Sequence, residues 1–94
     1  MHITSSAFEH NGRVPVKYTC NGKNTSPPLA IEDIPPGTES LAIIVDDPDA
    51  PGRTFVHWLI WDISPTGELA ENTAPGTQGR NDFGKSAYGG PCPP

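Results

Sequence analysis

Residues 41–63 read LAIIVDDPDAPGRTFVHWLIWDI, and two apolar runs within this stretch decide the fold class. The first, residues 41–45, is short, continuous and rich in β-branched side chains, which is typical of a strand covered on both faces. The second, Phe55–Ile63, is a strong strand, and in strand geometry its odd-numbered and even-numbered residues point to opposite faces. Trp58 and Trp61 fall on opposite faces, and we therefore predict that both tryptophans lie in the core.

A rigid turn separates the two predicted strands. Pro48 and Pro51 have fixed φ angles, and each pushes the residue before it into an extended conformation. In extended geometry Asp47 and Asp49 project to one side, with Cα atoms roughly 6.5 Å apart at about 3.3 Å per residue. Two carboxylates held in this way make half of a plausible binding site. The alternative is an ordinary turn, in which an Asp side chain bonds nearby backbone N–H groups, and local turn chemistry taken alone favours it.

The remaining chain carries weaker signals. Residues 14–20 (VPVKYTC) predict a strand that Pro15 confines to a sheet edge or a strand start. Residues 64–94 show little periodicity, and about thirty such residues are too long for an ordinary connection, so we expect this segment to be functional or unfinished. We predict one mainly β domain over residues 1–94, with few helices.

Charge and composition exclude several classes of function. The 94 residues carry a net charge of −5 and only six Lys and Arg, whereas nucleic-acid binding needs a basic stripe. The N-terminus lacks a signal-peptide pattern, and no apolar run reaches the length of a membrane span, so we expect a cytoplasmic protein without membrane insertion. In that compartment Cys20 and Cys92 are expected to be reduced thiols, with a disulfide as the minority alternative.

Three hypotheses compete for the chemistry of Asp47, Asp49 and His57. A metal site lacks a clear further protein ligand, and a hydrolase lacks a Ser or Cys in a recognisable nucleophile elbow. A small polar ligand fits better, because the carboxylates suit a cationic part while His57 and glycine-rich backbone N–H groups suit an anionic part. A phosphorylated amine has both parts. We predict no metal and no cofactor, although His57 taken alone is more often a core histidine than a ligand.

Short motifs spread along the whole chain support the ligand hypothesis. They are YTCNG at 18–22, SPPL at 26–29, DDPDAP at 46–51, HW at 57–58, NDFG at 81–84 and YGGPCPP at 88–94. At this spacing the motifs resemble the phosphatidylethanolamine-binding proteins, also called Raf kinase inhibitor-like proteins, in their prokaryotic branch. The resemblance implies a β-sandwich with a large mixed sheet, few short helices, and a small anion pocket for phosphate or phosphoethanolamine.

The resemblance also implies the residues of that pocket and the role of the protein. The pocket residues would be Asp47, Asp49, Pro51, His57, Tyr88, Gly90, Cys92 and Pro93. The family's members mostly act as non-enzymatic binders and inhibitors, so a kinase or serine protease is an expected partner, and a hydrolase is the last alternative.

In the family, a Gly-x-His-Arg segment and further strands follow the Pro-Pro sequence at which these 94 residues stop. We therefore expect the chain to be the N-terminal part of the domain, with the rest deleted, absent from the gene or present as a separate chain. The implied fold also brings the loops of Cys20 and Cys92 near one another.

Overall fold

The computed structural model describes residues 1–92, which form two small β-sheets that face each other. The elements are β1 (His2–Thr4), a 3₁₀ helix (Val16–Tyr18), β2 (Leu29–Glu32), β3 (Leu41–Asp47), β4 (Phe55–Ile63), β5 (Glu68–Leu69) and β6 (Thr77–Gln78). One sheet has the order β1-β2-β5 and the other β3-β4-β6, and every pairing is antiparallel. The predicted mainly β fold is confirmed, but in place of one large mixed sheet the described residues form two three-stranded antiparallel sheets.

A single hydrophobic core joins the two sheets. Ile31 and Leu69 reach it from the first sheet, while the second sheet supplies the bulkier side chains of β3 and β4. The largest fully buried side chains, each about 1% exposed, are Trp58, Ile60 and Ile63. The sandwich therefore depends mainly on β4, the central strand of its sheet.

Strand β3 is covered on one face only. Leu41 and Ile43 are buried, but Ile44 is 64% exposed, so the predicted burial of both faces is wrong. In the sheet order β3 lies at an edge with β4 as its one neighbour among the described residues. A continuous apolar run looks the same whether one face or two are covered, and the sequence pattern therefore overestimated its burial.

Strand β4 has the predicted bounds, but two β-bulges change the direction of its side chains. Near its end, where Asp62 has a φ of +57°, an extra residue turns Ile63 to the core and leaves Trp61 42% exposed. The prediction that Trp61 is a core residue is therefore wrong. The second bulge lies at His57, because Asp46 pairs with Val56 and the preceding Val45 pairs with Trp58.

Residues 14–20 form a turn of 3₁₀ helix where a strand was predicted. Tyr18 N–H donates to the carbonyl of Pro15, and Thr19 N–H to that of Val16, at 3.0 Å each. Pro15 has no N–H for a ladder, and its φ of −58° suits the start of a helical turn.

No helix in residues 1–92 is long and apolar enough to cross a membrane. The segment after β4, predicted to lack periodicity, contains the two-residue strands β5 and β6.

A disulfide joins Cys20 to Cys92 across 72 positions of sequence, with the Cα atoms 5.2 Å apart. The expectation of two reduced thiols is therefore wrong for this structure. Backbone contacts bring the two loops together, since Cys20 N–H donates to the carbonyl of Pro91 at 3.1 Å. The proximity implied by the family resemblance is confirmed.

We expect Ile60→Ala to lower the free energy of unfolding by about 2–5 kcal/mol, because it leaves a cavity between the two sheets. Ile44→Ala is the matched control on the neighbouring strand. Because the side chain of Ile44 is exposed, its truncation should lower the free energy of unfolding by less than about 1 kcal/mol. Urea denaturation of both variants measures the difference. Equal losses would show that β3 is covered on its outer face in solution.

Candidate ligand-binding site

A cavity of about 680 Å³ lies where the turn after β3, the start of β4 and the loop after β6 meet. Its wall is mainly apolar and aromatic, and two carboxylates, Asp46 and Asp47, lie at its edge. The aromatic lining residues are Phe8, Phe55, His57, Trp58, Phe83 and Tyr88. A smaller cavity of about 260 Å³ lies between β1 and β3, and it is lined by apolar side chains and His2.

The larger cavity brings together most of the residues singled out from the sequence. Those that line it are Asp47, Pro51, His57, Tyr88 and Cys92. Asp49 and Gly90 lie close by in sequence but are not part of the lining. Pro93 falls outside the described residues. Phe8 and Phe55 also line the cavity, as do Asp46 and Phe83 from the DDPDAP and NDFG motifs, although none of the four was named among the pocket residues.

His57 is held by two hydrogen bonds to one residue. Its Nδ1 lies 2.7 Å from the carbonyl oxygen of Gly89, and Gly89 N–H donates back to the His57 carbonyl at 3.0 Å. A carbonyl oxygen only accepts, so Nδ1 carries the hydrogen, and Nε2 is the ring nitrogen left for a ligand. His57 is only 8% exposed, and the rings of Phe55 and Phe83 pack beside its imidazole with centroids 4.9 and 5.7 Å away.

The bulge in β4 explains how the loop after β6 docks at His57. The carbonyl of Val56 accepts from Asp82 N–H at 2.9 Å, and the next carbonyl, that of His57, accepts from Gly89 N–H. In a regular strand successive carbonyls point to opposite edges, so one loop cannot bond both. The extra residue at His57 turns the two carbonyls towards the same loop.

Asn81 ties this loop into one unit. The side chain is buried, 4% exposed, and its Nδ2 donates to the carbonyls of His57 (3.2 Å) and Ala87 (2.7 Å). Its Oδ1 accepts from the backbone N–H groups of Phe83 and Lys85, both at 3.0 Å. All four bonding positions of the amide are used. Sequence reasoning missed this role because an Asn in a glycine-rich segment is also ordinary loop chemistry.

The turn after β3 combines the two alternatives considered for its acids. Asp47 Oδ1 accepts from Asp49 N–H at 3.0 Å, which is the local bond of an ordinary Asp turn. Pro48 and Asp49 lie in a turn, so the extended geometry expected for Asp49 is not found. Asp47 nevertheless lines the cavity, whereas Asp49 does not.

A second set of contacts fixes the far wall against the 3₁₀ helix. Gly90 N–H donates to Asn24 Oδ1 at 2.8 Å, and the Tyr88 hydroxyl donates to the Tyr18 carbonyl at 2.8 Å. A Cβ at Gly90 would lie only 1.9 Å from that same carbonyl, so no larger residue fits there. The Tyr88 ring meets Trp58 edge-on at 5.8 Å, and burial raises the pKa of Tyr88 to about 12.

The charge of the cavity is mixed. Among its described lining residues, His57 is the one side chain able to carry a positive charge. Arg53, in the nearby turn, pairs with Asp82 at 3.2 Å, and Asp82 also accepts from Val56 N–H at 2.7 Å. Residues 1–92 contain no group of three His, Cys, Asp or Glu side chains that is placed to hold a metal ion.

Comparison with known proteins points to one family. The family model for phosphatidylethanolamine-binding proteins matches residues 4–94. An Archaeoglobus fulgidus protein named UPF0098 protein is 52% identical over 98 residues, which cover 95% of this chain and 34% of that protein. The chain thus spans about a third of the length of this curated relative.

Two solved structures have the same fold. A Chlamydia trachomatis protein described as a phosphatidylethanolamine-binding protein homologue superimposes with a TM-score of 0.92 at 39% identity, covering 98% of this chain and 65% of that one. Escherichia coli YbcL, described as a new member of the mammalian family, gives a TM-score of 0.89 at 35% identity, with 98% and 66% covered.

The raised pKa of Tyr88 predicts a loss of stability in alkali. The unfolded phenol releases its proton near pH 10, whereas the folded one holds it to about pH 12, so the stabilisation is complete below pH 10 and disappears as the pH rises towards 12. Denaturant unfolding over this range should show that the free energy of unfolding of the native protein falls as the pH rises. The fall should be smaller in Tyr88→Phe. If Tyr88→Phe declined as steeply, the effect would not come from Tyr88.

We expect Asn81→Asp to lower the free energy of unfolding by at least about 2 kcal/mol. The substitution preserves shape but turns a carboxylate oxygen towards the carbonyls of His57 and Ala87 and removes the two hydrogen bonds that Nδ2 donates to them. Asn72→Asp is the matched control, because Asn72 is exposed and Asp tolerates its φ of +57°, so its effect should stay within about 0.5 kcal/mol. Urea denaturation measures the free energy of unfolding of both variants. Similar losses in Asn81→Asp and Asn72→Asp would contradict the role given to Asn81.

Proposed function

The chain belongs to the phosphatidylethanolamine-binding protein family, and from this premise we propose that it is a non-enzymatic binding protein for a small phosphorylated amine such as phosphoethanolamine. The observation that carries the proposal is the fixed ring of His57. One nitrogen is held by the Gly89 carbonyl, and the other is left for a ligand in an aromatic cavity.

His57 is proposed to bind the phosphate. A bond between an imidazolium N–H and a phosphate oxygen is charge-assisted, and such bonds contribute about 1.5–3 kcal/mol. The apolar wall formed by Phe55 and Phe83 lowers the local dielectric and strengthens this contact. The ring needs no rearrangement to make it, because the Gly89 contact already fixes its orientation.

Asp46 and Asp47 are proposed to receive the ammonium end of the ligand. Both carboxylates are exposed, so each attraction is worth at most about 1 kcal/mol. Their larger effect is on selectivity, because they repel an anion that brings no positive charge. The cavity should therefore prefer phosphoethanolamine to inorganic phosphate.

A role in regulating or inhibiting a protein partner, a kinase or a serine protease, is proposed as the alternative. The cavity supports it where the partner carries a phosphorylated residue, since phosphoserine presents the same phosphate group to His57. For the location we propose the cytoplasm, as the sequence predicts; the thiol pool of that compartment opposes the Cys20–Cys92 disulfide of the structure.

Calorimetric titration with phosphoethanolamine tests the proposal. His57→Ala should weaken binding by tenfold or more, which corresponds to about 1.4 kcal/mol or more, while His2→Ala, an exposed histidine of β1, should leave it unchanged. Asp47→Asn should weaken the binding of phosphoethanolamine and strengthen the binding of inorganic phosphate. Asp49→Asn removes a carboxylate outside the lining and should change neither affinity.

Two further arms sharpen the test. Titration with a phosphoserine peptide and with free phosphoserine distinguishes a protein partner from a small-molecule ligand. Tighter binding of the peptide than of free phosphoserine would favour the role in regulating a protein partner. Binding that is absent, or equal in the native protein and His57→Ala, would refute the proposed site.

A further inference from the structure

We propose that the Cys20–Cys92 disulfide is a thiol-exchange site on the wall of the cavity, where a small thiol or dithiol opens the bond and releases one end of that wall. The inference rests on the position of the bond. Cys92 lines the cavity and is exposed, while Cys20 is half-buried beside the 3₁₀ helix. Access to sulfur controls the rate of exchange, and exposed disulfides are the labile ones.

The exchange is a balanced substitution at sulfur. A thiolate attacks Sγ of Cys92, the bond between the two protein sulfurs breaks, and Sγ of Cys20 leaves as a thiolate that takes a proton from water. With a monothiol such as glutathione, the products are a mixed disulfide on Cys92 and a free Cys20 thiol. With a dithiol, the second thiol then displaces Cys92, so the dithiol is oxidised to a cyclic disulfide and the protein gains two thiols.

The contacts around the bond limit what its opening releases. Tyr88 remains bonded to the Tyr18 carbonyl, and Gly90 to Asn24, each at 2.8 Å. These hydrogen bonds lie on the His57 side of the loop, so they hold that part in place after exchange. The bond from Cys20 N–H to Pro91, at 3.1 Å, is the one next to the disulfide and loses its covalent support. On the His57 side, release therefore extends no further back than residue 91.

The effect on ligand binding rests on the function proposed above. A glutathione moiety attached to Cys92 would bring its carboxylates to a cavity that already carries Asp46 and Asp47. The added carboxylates repel a phosphate, and the attached group changes the shape of the cavity. We therefore expect the glutathione adduct to bind phosphoethanolamine several-fold more weakly. Reduction by a dithiol, which adds no group, should have a smaller effect.

Mass spectrometry of the folded protein tests the exchange without any ligand. Incubation with reduced glutathione should add one glutathione and expose one thiol, and peptide mapping should place the adduct on Cys92. In the single variants, Cys92 of Cys20→Ser should react with glutathione disulfide faster than Cys20 of Cys92→Ser. An adduct that forms only in denaturant, or that forms first on Cys20, would overturn the proposal.

Hydrogen exchange tests whether the release is local. After reduction by a dithiol, the Cys20 amide should exchange at least about tenfold faster. The Ile31 amide of β2, which donates to the Gly67 carbonyl next to β5 of the same sheet, should be unchanged. If both amides accelerate equally, the disulfide only holds the whole fold together, and the proposal is wrong. If neither changes, opening the bond releases nothing, and the proposal is again wrong.

Titration of the oxidised protein and its glutathione adduct with phosphoethanolamine separates this inference from the proposed function. Oxidised protein that binds nothing refutes the proposed function, whereas the mass and exchange results still decide the thiol-exchange site. Equal affinity of the two forms would overturn the link between exchange and binding.

Discussion

The β-bulge at His57 is the constraint on which the site depends. One extra residue in β4 turns the carbonyls of Val56 and His57 towards the same loop, and both accept hydrogen bonds from it. That docking places the Gly89 carbonyl against Nδ1 of His57, which fixes the tautomer and the direction of the ring. In a regular strand only one of the two carbonyls could accept a hydrogen bond from this loop, and the loop would be held less firmly over the His57 ring.

The sequence predicted the parts of the fold that local chemistry determines. Strand β4 has its predicted bounds because residues 55–63 are mostly apolar and rich in β-branched and aromatic side chains, and the turn after β3 was evident from Pro48 and Pro51. Residues 14–20 show the limit of this approach. Their alternation favoured a strand, but Pro15 and a hydrogen bond to its carbonyl made a helical turn.

The remaining features depend on contacts between distant residues. A bulge has no sequence signature when neither residue is a glycine, and the burial of Asn81 follows from four partners that only the folded chain assembles. The Cys20–Cys92 pair is separated by 72 positions, and compartment rules favoured the reduced form. Family resemblance supplied the information that local patterns lack, since it indicated that the two loops are close and that Tyr88 belongs to the site.

The acidity of the chain is compatible with an anion site because charge acts locally. A net charge of −5 is spread over the surface, and at physiological salt its field is screened beyond about 8 Å. Inside the cavity the balance depends on His57 and on the two carboxylates at the edge, since Arg53 pairs with Asp82. If the cavity binds the proposed ligand, one donor against two acids would disfavour a bare phosphate and favour a ligand that carries its own cation. In the proposed function, the two carboxylates at the cavity edge would therefore be the source of the selectivity.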